Sequence, residues 1–170
     1  MNEPDAAQKK ADGPSIVERF LKSESAYHQS LQMIQHLFLE PVAPIGDARV
    51  EEIFQHVHPI VDLHNLLWWR LEQFVGGDTS LETLETLFLI LYEFASLFPV
   101  YISFHTAHDA AQLLLRQVLA SSPKMAQLAK DASMLRPNTS LSSLLQLIRA
   151  RPAQLKVFDS QNVFCFFFFF

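Results

Sequence analysis

Cysteine is almost missing from this chain. One thiol, Cys165, in 170 residues excludes an internal disulfide, and with no basic-then-apolar leader pattern at the N-terminus it points to a reducing, cytoplasmic setting. Glycine is nearly as scarce. Four glycines leave little material for hairpins or phosphate-cradling loops, and the P-loop, dinucleotide and nucleophile-elbow patterns are all missing. Positive charge is in deficit as well: 13 Lys and Arg face 18 Asp and Glu, for a net charge of -5. The basic footprint that gives affinity for a phosphate backbone is therefore lacking, which excludes a nucleic-acid binder and leaves a protein as the expected partner. What is present is a globular composition, 49% hydrophobic and 18% charged, enough for one domain with a sizeable core. An all-α fold is expected.

Residues 1–13 (MNEPDAAQKKADG) are polar and mixed in charge, and read as a flexible tail before an ordered region that starts near Pro14. A first helix is expected from there to about Glu40, ended by Pro41, Pro44 and Gly46. Ala48 to Phe74 carries a second helical pattern, which Pro59 should kink or divide. Gly76 and Gly77 close it, and Thr79 with Glu82 has capping-box spacing before a third helical region. Leu87 to Phe104 holds one charged residue, Glu93. Its length is near the ~20 residues of a membrane span, but Glu93, Ser96, Pro99 and Ser103 interrupt it and no basic residue closely flanks it, so a helix buried in a bundle and bent at Pro99 is expected instead. Ala107 to Leu119 continues helically. Ser122 with Pro123 reads as an N-cap followed by proline at the first helical position, opening a helix through Lys130. Asn138, Thr139 and Ser140 offer a further cap before Leu141 to Ile148, and Pro152 is expected to stop that helix.

The first helix contains an anomaly. At about 100° per residue, Ile16, Val17, Phe20, Tyr27, Leu31, Ile34, Leu37 and Phe38 form one apolar stripe, and Glu24 lies within it. A carboxylate there is costly unless it is paired. Two readings stand: Glu24 is at the core edge with its head in water or on an internal partner, or the face is partly open and docks another molecule.

Other candidates for chemistry are weaker. Of seven histidines, His56 and His58 are two apart and point away from each other on a helix; His105 and His108 are three apart. No Cys, Asp or Glu completes a ligand set around either pair, so no metal site and no cofactor are expected. His64 sits at the centre of the second helix's stripe, as a core histidine bonded to a neighbour would. Trp68 and Trp69 face different directions, so at least one belongs near the surface or at a packing seam.

The segment IVERFLKSESAYHQSLQMIQHLFLEPV resembles the first conserved region of the Dbl homology domain, the exchange module of Rho-family guanine nucleotide exchange factors. The shared order is an apolar pair (Phe20-Leu21), a polar-Glu step (Ser23-Glu24), Tyr27, Leu31, Phe38 and a closing Pro41. EEIFQHVHPIVDLHNLLWWRLEQF is similar to the family's next helix, and FASLFPVYISFHTAHDAAQLLL to its second conserved region through Phe98, Tyr101 and Ala110 to Leu114; SPKMAQLAKDA matches the short stretch after it. The resemblance implies an elongated helical bundle, a Rho-family small GTPase as partner, and non-covalent displacement of nucleotide in place of enzymatic bond chemistry. It places the family glutamate that contacts the first switch of the GTPase at Glu24.

The likeness fades toward the C-terminus. LSSLL fits the start of the third conserved region, but Ile148 stands where a proline is expected, Ala150 for a Gln, Gln154 for a basic residue and Leu155 for a Tyr; of the expected set only Arg151 fits. The expected organisation is thus a tail over 1–13, a partial Dbl homology domain over 14–145 that lacks its last conserved helices, and a divergent segment over 146–170. The latter ends in VFCFFFFF, an aggregation-prone run of the sort that translated intron or an alternative exon would produce. Two functional expectations follow: an exchange module, C-terminally truncated and weak or inactive, or a helical interaction protein without exchange activity.

Overall fold

The computed structural model describes residues 15–73, 81–137 and 139–159. The N-terminal tail, the Gly76–Gly77 closure, the Thr79–Glu82 capping box, Asn138 and the phenylalanine run lie wholly or partly outside the described residues. Helices α1 (Ile16–Ile34), α2 (Ala48–Phe54), α3 (His58–Glu72), α4 (Leu81–Phe94), α5 (Val100–Ser121), α6 (Pro123–Leu135) and α7 (Leu141–Asp159) make up the molecule, with no strand among the described residues.

Local chemistry explains the helix boundaries. Ser15 and Glu18 form a reciprocal capping box at the start of α1, with the Ser15 amide donating to Glu18 Oε2 at 2.7 Å and the Glu18 amide to Ser15 Oγ at 3.2 Å. Past Ile34 the chain widens into a π turn, Gln35–Leu39, in which neighbouring Phe38 and Leu39 are both buried. It then runs helically through Pro41 to Val42, two residues beyond Glu40, and tightens into a 3-10 turn, Ala43–Ile45. Gly46, at φ +65°, ends this element in the left-handed region that glycine enters without penalty.

Pro59 divides the second helical pattern, as its missing amide requires. α2 ends at Phe54, and α3 begins at His58 with Pro59 in its first turn, where no intrahelical donor is needed. Pro99 marks the expected bend: a 3-10 turn, Ala95–Leu97, precedes α5, and the segments Leu84–Leu97 and Val100–Ser121 meet at 54°. Among the described residues no single helix is long and apolar enough to cross a membrane. Ser122 Oγ accepts from the Met125 amide at 3.4 Å to open α6, which outlasts its expected end at Lys130 and reaches Leu135.

The last helix departs from expectation. α7 does not stop at Pro152 but carries it internally and continues to Asp159. Proline costs a helix one hydrogen bond and a clash with the carbonyl four residues back; here Leu141, Leu144, Leu145 and Ile148 are already anchored in the core, and Arg151 is held by side chains of α1. Tertiary contacts thus override the local stop signal.

Packing gives the arrangement. α1 lies against α3 on one side and α7 on another, while α5 touches α2, α3, α6 and α7, and α4 packs on α3. Leu31, Ile34, Val57, Ile60, Leu71, Val118 and Ile148 are fully buried in one continuous core. Each contributes roughly 1.5–3 kcal/mol of burial.

Candidate functional site

Glu24 resolves toward the interior. Its side chain is 1% exposed, and each carboxylate oxygen has its own partner from a different helix. His64 Nδ1, on α3, lies 2.5 Å from Oε1, and Arg151 Nη2, on α7, bonds Oε2. A carboxylate only accepts, so His64 Nδ1 carries the proton in that bond. On the far side of the imidazole, Nε2 meets the Tyr101 hydroxyl of α5 at 2.7 Å, and Tyr101 meets the Tyr27 hydroxyl at 2.8 Å, returning the chain of bonds to α1.

Arg151 is as deeply placed as Glu24, at 1% exposure. Its Nη1 donates to Ser23 Oγ at 2.8 Å, and its guanidinium carbon sits 4.7 Å from the centre of the Tyr27 ring, a cation–π contact in a desolvated setting. One donor is left over. Arg151 Nε is buried with no acceptor. His64 is wedged edge-on against Tyr27 at 4.7 Å between ring centres and against Phe98 at 6.3 Å, so its orientation is fixed by packing as well as bonding.

The electrostatics follow from this placement. Burial is the largest influence on the Glu24 carboxyl and alone would raise its pKa, but the charge and hydrogen bond of His64, then those of Arg151, outweigh it and hold the group at about 2 instead of 4.5. Burial pushes the Tyr27 and Tyr101 hydroxyls upward, so both stay protonated and able to donate. The result is an ion pair with its lone pairs satisfied, joining α1, α3, α5 and α7. Such a cluster adds little stability compared with an apolar core of equal volume, yet losing one partner costs about 3–5 kcal/mol because the other charge is stranded.

Sequence reasoning marked Glu24 and His64 but not their pairing, nor the roles of Arg151, Tyr101 and Ser23 in the same cluster. A signal for Arg151 was available. Leu141, Leu144, Leu145, Ile148 and Arg151 fall at helical spacing, so Arg151 is a charge on an apolar stripe, as Glu24 is on α1.

Elsewhere among the described residues the surface has hollows, including one of about 540 Å³ against His108, Gln112 and Ser142 and one of about 590 Å³ against His28, Asn65 and Trp68; Glu24 lines neither of these. The second includes Trp69, which is 57% exposed, whereas Trp68 stacks on His28 at 5.6 Å. The paired histidines of the sequence do not converge on shared ligands: among the described residues no group of three or more His, Cys, Asp or Glu could hold a metal ion. The Tyr101 hydroxyl, the His64 imidazole and the Glu24 carboxylate are bonded in series, but all three are buried, and the series ties α1, α3 and α5 together.

Comparison with known proteins places this architecture. The chain resembles solved structures of the Vav1 exchange factor: one of a study on the structural role of its PH and C1 domains (TM-score 0.73, 18% identity, 84% of this chain and 39% of that one), and an apo structure of an activated truncation (TM-score 0.74, 18% identity, 84% and 36%). At that identity the likeness shows the fold, and the chain spans well under half the length of those structures. No curated protein sequence matches the chain. The family model for the RhoGEF domain matches residues 16–158, reaching past Leu145, where the motif-by-motif resemblance fades, through nearly all of α7. With that model covering most of its length, this chain belongs to the RhoGEF, or Dbl homology, domain family.

Proposed function

We propose that this chain works as an exchange module for a Rho-family small GTPase, docking through the faces of α1 and α7 around Glu24 and favouring the nucleotide-free form of its partner. The reading is supported above all by the coincidence of the RhoGEF match over 16–158 with a carboxylate at the position where the family resemblance puts its GTPase-contacting glutamate. Exchange of this kind needs no bond to protein. A surface that binds one conformational state of the GTPase better than another shifts its population and lowers the barrier to nucleotide release. The cytoplasmic setting expected from the single cysteine is compatible with such a partner.

Activity is proposed to be weak. Both oxygens of Glu24 are already engaged, and Ile148, Ala150, Gln154 and Leu155 depart from the family pattern around them. The same occlusion favours a second reading, a helical interaction protein that binds without exchanging. Capture separates the two: immobilised chain is offered Rho-family GTPases stripped of nucleotide or loaded with GDP. Preference for the stripped form is expected; indifference to nucleotide state would favour the interaction protein, and no capture of any GTPase would sink the exchange reading.

A further inference from the structure

We infer that Arg151 is a latch on Glu24: the distal part of α7 holds its guanidinium over the carboxylate in the resting state, and Glu24 becomes available to a partner only when that part of α7 lifts from α1. The inference rests on the exchange-module reading for its purpose, but its geometry stands apart from it. Of the two partners of Glu24, His64 is fixed, fully buried and wedged among Tyr27, Phe98 and Tyr101. Arg151 is the removable one.

Three features of α7 make it so. Its proximal half is anchored by Leu141, Leu144, Leu145 and Ile148, all in the core, whereas beyond Arg151 residues 153 and 154 are exposed and Leu155 only partly covered. Pro152 follows Arg151 directly and cannot donate to the Ile148 carbonyl, so the helix lacks a bond at the turn between the anchored half and the loose one. The guanidinium is also incompletely satisfied: Nε lies in the interior without an acceptor. Opening would return that donor to water. A partner offering hydrogen-bond donors to the freed Glu24 oxygen would replace Arg151, and the ion pair would be exchanged across the interface.

The test is Arg151→Met, which keeps the apolar stem and removes the charge. Glu24 is labelled with a water-soluble carbodiimide and an amine, and located by mass spectrometry. Labelling is expected to be slow in wild type and roughly tenfold faster in the variant, with capture of nucleotide-free GTPase tightened by a similar factor, as for a competent state that is otherwise populated at about a tenth. Glu24 staying as protected in the variant as in wild type overturns the latch, and so does capture weaker than wild type, which would make Arg151 a support for Glu24 instead of a cover. Faster labelling with no GTPase capture by either chain sustains the shielding and overturns the exchange reading. Should the variant lose its helicity, hydrogen exchange on wild type decides: amides at 153–155 opening well before those at 144–148 support the latch, and equal protection overturns it.

Discussion

Glu24 is held by the Arg151 guanidinium and the His64 imidazole in a place where water cannot help it, and its protonation behaviour should report that. Its folded pKa of about 2 lies below the ordinary 4.5. A carboxyl depressed in this way contributes stability that is fully present above about pH 4.5 and is lost as pH falls through about 2. Glu24→Gln removes the contribution while keeping the shape. The stability gap between wild type and this variant, measured by urea unfolding, should therefore be widest near neutral pH and close between pH 4.5 and 2; a gap that does not change with pH contradicts the ion pair. Glu24→Ala is the harsher change, expected to cost about 3–5 kcal/mol because it strands Arg151. For that reason the glutamine variant is the better probe of function. Individual residues were legible to different depths: Glu24 and His64 announced themselves by position in their stripes, and Arg151 lay in a stripe too. Their pairing was not legible, because 127 residues separate Glu24 from Arg151 and only the packing of α7 on α1 brings the two stripes face to face.

Among the elements, boundaries set by local chemistry were readable and those set by packing were not. Pro59 and Pro99 sit at helix starts, in the first turn of α3 and at the N-cap of α5, where no intrahelical donor is needed. Ser122-Pro123 opened α6 as an N-cap and first-position proline do. Pro152 failed as a stop because α7 is pinned just before it by Ile148 and Arg151, both buried. Replacing it tests that account. Pro152→Ala restores a possible bond to the Ile148 carbonyl and is expected to stabilise the protein by about 1–3 kcal/mol, read as a rise in melting temperature. A fall would mean that the proline ring itself packs productively. After the 3-10 turn, Gly46 has open space around its Cβ position, so Gly46→Ala meets no clash and should cost only the left-handed backbone strain, about 1 kcal/mol. A loss of several kcal/mol would show that the turn after the 3-10 segment is tighter than its geometry indicates.

At the scale of the whole molecule, the deficit of glycine led to an all-helical domain, and motif order led to the family. Sequence pattern carried the family resemblance only as far as Leu145, since beyond it the departures at Ile148, Ala150, Gln154 and Leu155 break the pattern. The fold continues past that point because α7 keeps its apolar stripe even where it loses the motif. The family match over 16–158 includes the same helix, and with it the contact that covers Glu24. This member of the family therefore keeps the Glu24 carboxylate indoors at rest, and weak exchange is the expected consequence. Release of a fluorescent guanine nucleotide from a panel of Rho-family GTPases tests this most directly. The wild-type chain at micromolar concentration should bring release only slightly above the intrinsic rate on at least one GTPase, and Glu24→Gln should abolish that increment; strong acceleration by wild type, or an increment that survives Glu24→Gln unchanged, would contradict it.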